Sequence, residues 1–157
     1  MSRLHNDDRA VSIAVTHVLT IAVTTLIIGG LMMGASFLME VQTERSAEES
    51  LETIGERLSS QLSGVDRATA DGGEATVRAT HPRTVAGAGY TVDLTESCDD
   101  QPLLEDVDQC LILTHGGSDV EVGVPVKVNQ SVSGEASGGT IEITGDGSEI
   151  EIESGSA

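Results

Sequence analysis

Three patterns of apolar and polar positions follow one another along the chain. From Ala10 to Met39 no Asp, Glu, Lys or Arg interrupts a run of 30 mostly apolar residues. A helix crossing a bilayer core needs about 20 such residues. At about 1.5 Å per residue this run is long enough to cross with tilt or to protrude. After it, Val41, Ala47, Leu51, Ile54, Leu58, Leu62 and Val65 recur mostly at steps of three and four, and Glu44, Glu48, Glu49, Glu52, Glu56 and Arg57 fill much of the remainder. That spacing is an amphipathic helix with a narrow apolar stripe. No proline separates it from the run before it, so residues 11–63 read as one long helix. Gly55 is its weak point, costing about 1 kcal/mol against Ala. Gly64, then Asp71-Gly72-Gly73, is expected to end it.

Beyond Gly73 the period becomes two. Val120, Val122, Val124, Val126 and Val128 alternate with Asp119, Glu121, Gly123, Pro125 and Lys127, which predicts a half-buried strand. Pro125 confines that strand to an edge or a bulge. Ile141 and Ile143 flank Glu142, and Ile150 and Ile152 alternate with Glu149, Glu151 and Glu153, with Gly145-Asp146-Gly147-Ser148 as the hairpin loop between them. Weaker strands are expected at 74–80, 89–95 and 110–115, and the Gly/Ser-rich stretch 129–140 reads as a mobile loop. The fold class is therefore α+β: a long N-terminal helix, transmembrane in its first half and amphipathic in its second, followed by a small, mainly antiparallel β-domain. The divisions are a leader at 1–10, a membrane helix at 11–39, an amphipathic extension at 40–65, a β-domain at 74–153 and a flexible tail at 154–157.

Charge changes the picture of where this domain lives. The formal net charge is −18, and from Glu40 onward 24 acids face 6 bases, with Lys127 the one lysine. Such a domain repels nucleic acid, so no nucleic-acid partner is expected. Many carboxylates with almost no lysine suit a high-salt source, where molar salt shortens the Debye length to about 3 Å and screens self-repulsion. Arg3 and Arg9 precede the apolar run, and the positive-inside rule then sets the N-terminus in the cytoplasm and the β-domain outside. Cys98 and Cys110 form an even pair, which suits an oxidising compartment; the spacing allows either a bridge or two free thiols. Asn129-Gln130-Ser131 is an N-glycosylation sequon.

A short charged leader, a helix that is membrane-like and then amphipathic, and a β-domain resemble the type IV pilin superfamily. The run Asp8-Arg9-Ala10-Val11-Ser12 is similar to the leader junction of its archaeal branch, which includes haloarchaeal pilins and archaellins. The resemblance in detail covers residues 1–40. It implies that a prepilin-peptidase-like enzyme cuts between Ala10 and Val11, with Arg9 and Ser12 flanking the cut. The mature chain would be held in the membrane and then drawn into a filament with other pilin-like subunits. Many such pilins carry Pro just after the Ser, where this chain has Ile13.

Within the helix, Ser12, Thr16, Thr20 and Thr24 recur every four residues beside His17, and Gly30 and Gly34 form a GxxxG pattern that lets backbones approach closely. These are the expected helix-packing positions. His17 has no acidic or Cys partner in the run and reads as a packing or hydrogen-bonding residue.

Chemistry is sparse. His81 and His115 lack an evident nucleophile, and there is no GxSxG, HExxH or P-loop. Glu96, just before Cys98, and Asp99, Asp100, Glu105, Asp106 and Asp108, between the cysteines, crowd the Cys98–Cys110 loop, but not at EF-hand spacing. No cofactor, no metal site and no enzymatic activity are expected. The function classes are a structural filament or secretion-complex subunit, an uncleaved single-pass anchor whose external domain binds a protein or ligand, and, last, an enzyme.

Overall fold

The computed structural model describes residues 4–99, 101, 104 and 107–156, with the backbone alone described for residues 4–13, 36 and 37. The chain divides into two compact units, Met1–Gln42 and Thr43–Ala157. Helix α1, Leu4–Thr69, contributes to both. Eight strands follow: β1 (Ala75–Thr80), β2 (Thr84–Val85), β3 (Ala88–Thr95), β4 (Cys110–His115), β5 (Glu121–Pro125), β6 (Ser131–Ser137), β7 (Thr140–Gly145) and β8 (Glu149–Ser154). The architecture is α+β.

The second unit is one helical segment on one sheet. The sheet runs β1-β7-β8-β6-β3-β4-β5, with β2 paired to the start of β3. All pairs are antiparallel except β6 with β8. The stripe Ala47, Leu51, Ile54, Leu58, Leu62 and Val65 is buried, and it shares one core with the inward strand residues, among them Val92, Leu113, Ile141 and Ile152. Each such Leu, Ile or Val contributes about 1.5–3 kcal/mol by leaving water. The opposite face of the sheet carries Thr, Ser, Glu and Asp.

Four expectations change. Gly64 does not end the helix; it is exposed, and α1 continues to Thr69. The true stop is Gly72, at φ +85°, whose N–H donates to the Thr69 carbonyl at 2.9 Å. That left-handed conformation is the usual glycine role just past a helix end. Gly55 is not a weakness but a contact point: a Cβ there would meet Val124 Cγ2 at 2.6 Å and Leu113 Cδ1 at 3.0 Å. Its missing side chain lets the helix approach β4 and β5.

The valine strand is shorter than its alternation, since β5 ends at Pro125. Pro125 lies at the sheet margin, as a residue without an N–H must. The stretch 129–140 is not a loop. It contains β6, inserted between β8 and β3, with Val132 and Ala136 in the core. Gly134 sits at φ +115°, and a Cβ there would fall 2.2 Å from the Ile152 carbonyl oxygen, so only glycine fits this parallel pairing.

The hairpin loop 145–148 forms where the sequence predicts it. Asp146 Oδ1 accepts from Ser148 Oγ (2.7 Å), Ser148 N (2.8 Å) and Glu149 N (3.0 Å). Those donors, the Ser148 hydroxyl first, lower its pKa to about 2.

Candidate functional site: an exposed apolar helix

The described part of the first unit consists of helix. Ala14–Thr69 contains a window of mean hydropathy 2.1, none of it buried. Leu26 and Met33 are 76% and 80% exposed. Leaving so many large side chains uncovered is unfavourable in water. This helix is long and apolar enough to span a membrane.

The threonines sit comfortably in such surroundings. Thr20 Oγ1 donates to the Thr16 carbonyl, Thr24 Oγ1 to that of Thr20 and Thr25 Oγ1 to that of Ile21, each at 2.8 Å. Hydroxyls satisfied within their own helix ask nothing of an apolar solvent. Their methyl groups stay available for packing. At 3.6 residues per turn, Gly30, Gly34, Thr16 and Thr20 fall within an arc of about 80°, with Thr24 at its margin. A Cβ on Gly30 or Gly34 would meet nothing within 4 Å. Nothing described in this chain therefore requires glycine at those positions. Arg9, Ala10, Val11 and Ser12 belong to α1, and their side chains lie outside the described residues.

In the second unit Cys98 and Cys110 are joined by a disulfide, with Cα atoms 6.1 Å apart. Both are buried with Leu104 in a small cluster separate from the main core. Asp100, Glu105 and Asp106 of the acidic segment lie outside the described residues. Glu96 faces β6 instead, its Oε1 accepting from Val132 N at 3.2 Å. Among the described residues no group of three or more His, Cys, Asp or Glu is placed to hold a metal ion.

Asn129 of the sequon is tied to the helix: its backbone N–H and its Nδ2 donate to the two carboxylate oxygens of Asp66, at 3.0 and 2.9 Å. Gln130 Nε2 reaches Asp66 Oδ1 at 3.2 Å and Thr69 Oγ1 at 2.8 Å. This buried polar joint was not foreseen. Its signal was present, since Asp66 and Thr69 continue the apolar stripe from Leu62 at steps of four and three.

His115 does have a neighbouring hydroxyl. Ser118 Oγ lies 2.7 Å from Nδ1, and the Val85 carbonyl lies 2.9 Å from Nε2. A carbonyl only accepts, so Nε2 carries a proton, while Nδ1 hydrogen-bonds the Ser118 hydroxyl. The pair joins the β4–β5 turn to β2. His81 is buried; desolvation, followed by the positive charge of Arg57, lowers its pKa. A groove of about 590 Å³ has Glu48, Glu52, Glu56 and Glu121 around Leu104 and Val124.

The chain belongs to a family of unknown function, DUF7266, whose match covers residues 6–154. No curated protein and no solved structure matches it.

Proposed function

We propose that this member of a family of unknown function is a pilin-like, membrane-anchored subunit of an archaeal cell-surface filament or a related secretion complex, structural rather than catalytic. The observation that carries this reading is the fully exposed apolar segment of α1 from Ala14. Such a segment needs either lipid or the helices of other subunits around it, and a pilin uses both in turn.

In this reading residues 1–10 are a cytoplasmic leader. A prepilin peptidase cuts between Ala10 and Val11, and the second unit faces the outside, consistent with Arg3 and Arg9 on the near side of the helix. The disulfide is the kind of link that persists in an oxidising compartment. The charge of −18 fits a halophilic source. Asn129 is an exposed candidate for glycosylation, and a glycosylated amide keeps one N–H with which to hold Asp66. Thr16, Thr20, Thr24, Gly30 and Gly34 form the face on which helices of neighbouring subunits pack.

The test is fractionation. A C-terminally tagged chain expressed in a haloarchaeal host should appear both in membranes and in filaments sheared from the cell surface. Tag in membranes alone would replace the filament subunit with a permanently anchored surface domain.

A further inference from the structure

The two margins of the sheet are treated differently. At β5 the margin carries Pro125, which has no N–H to offer, and Gln101 and Leu104 pack beside it: the Gln101 amide donates to Glu121, and Leu104 comes within contact of Gly123. At the other margin β1 pairs with β7 and, among the described residues, with no other strand. Its six residues, Ala75–Thr80, include no proline and no glycine. A bare edge strand offers backbone donors and acceptors to any chain that can align with it, and natural sheets usually block such edges.

A second observation falls on the same strand. Beyond Gln42, Val77 is the one exposed large hydrophobic among the described residues, at 38%. It lies on the helix side of the sheet, in register with Ile143. The one charged side chain of the strand, Arg78, bonds Glu142 through Nε at 2.5 Å and stays 66% exposed.

We infer that the free edge of β1 pairs antiparallel with β1 of a second copy, about a two-fold axis at Thr76. Directly opposed residues in an antiparallel pair share a face. The register centred on Thr76 sets Glu74 opposite Arg78 of the partner subunit, and Ala75 opposite Val77 of the partner subunit. Both oppositions are favourable: the first joins unlike charges on the polar face, and the second covers the exposed valine. A register centred on Val77 loses the charge pair, and one centred on Arg78 opposes two arginines. The contact is isologous, so it closes as a dimer. It depends neither on leader processing nor on filament assembly.

The experiment uses the full chain, unprocessed, purified in detergent. Because Cys98 and Cys110 are bonded to each other, a single introduced thiol reports alone. Thr76→Cys should give a covalent dimer on mild oxidation, well above the level from Thr91→Cys, which is exposed on the same face at the middle of the sheet. Adding Glu74→Arg, which opposes two arginines, should abolish the cross-link while the circular-dichroism melting curve shows the chain still folded. Equal cross-linking of Thr76→Cys and Thr91→Cys would overturn the pairing. A cross-link indifferent to Glu74→Arg would overturn the register. Size measurement of the chain without introduced thiols gives an independent readout: a dimer that Glu74→Arg converts to monomer supports the edge contact, and one that persists contradicts it.

Discussion

Asp66, near the end of α1, holds Asn129 by both its backbone and its side-chain amide, at 3.0 and 2.9 Å. The two residues are 63 positions apart, and the contact pins the helix end to the chain entering β6. Asp66→Ala would leave the backbone and side-chain amides of Asn129 without their acceptor and take one acceptor from the buried Gln130, which keeps Thr69 Oγ1. Losing hydrogen bonds to a charged group of this kind costs about 3 kcal/mol. The expected result is a lower urea midpoint with an unchanged slope, measured on the detergent-solubilised chain.

Gly55 and Gly64 lie in the same helix and predict opposite outcomes. At Gly55 a methyl group collides with Val124 and Leu113. Overpacking of that kind costs about 1–3 kcal/mol and outweighs the gain in helix propensity of about 1 kcal/mol. At Gly64 a Cβ meets nothing within 4 Å, so Gly64→Ala keeps the propensity gain. Thermal melts should place Gly55→Ala below the parent and Gly64→Ala above it.

The polar face of the sheet carries a row of like charges. Asp93 lies opposite Glu135, Glu135 opposite Glu153, and Glu153 opposite Glu142, with Arg78 beyond Glu142 as the one counter-charge in the row. Like charges directly opposed across strands repel, and salt shortens the reach of that repulsion from about 10 Å at 0.1 M to about 3 Å at 1 M. Glu153→Gln, at the middle of the row, should raise the melting temperature at low salt, and the gain should shrink as salt approaches molar. A gain independent of salt would show that the row is not an electrostatic fault.

Gly30→Leu together with Gly34→Leu fills the space left beside the helix without touching anything in its own chain. Membrane insertion should be unchanged, because leucine is at least as apolar, while incorporation into filaments should fall. Filament yield against membrane yield reads the two effects separately. Normal incorporation would remove the packing role of this face.

Much of this fold was legible because its periodicities are strong. The Leu51–Leu58–Leu62 stripe and the Ile141/Ile143 and Ile150/Ile152 alternation each point to one face of one element. β6 escaped because Ser131-Val132-Ser133-Gly134-Glu135-Ala136-Ser137 reads as linker by composition, although Val132 and Ala136 keep the period of a strand. Its place beside β8 depends on Gly134, and that requirement is set by the Ile152 carbonyl, a partner that local sequence does not reveal. The role of Gly55 was hidden for the same reason: its value lies in Val124, far along the chain. Of the candidate site, the apolar helix and its Thr and Gly positions were visible from spacing alone. The Asp66–Asn129 joint and the bare edge of β1 needed the three-dimensional register.

The central claim is that a leader is removed and the remaining helix carries the subunit into an assembly. The most direct test is the intact mass of the C-terminally tagged protein, recovered from membranes of a haloarchaeal host with and without its prepilin peptidase. The account predicts loss of residues 1–10, leaving Val11 first, only when the peptidase is present. An unprocessed chain in both hosts would contradict it.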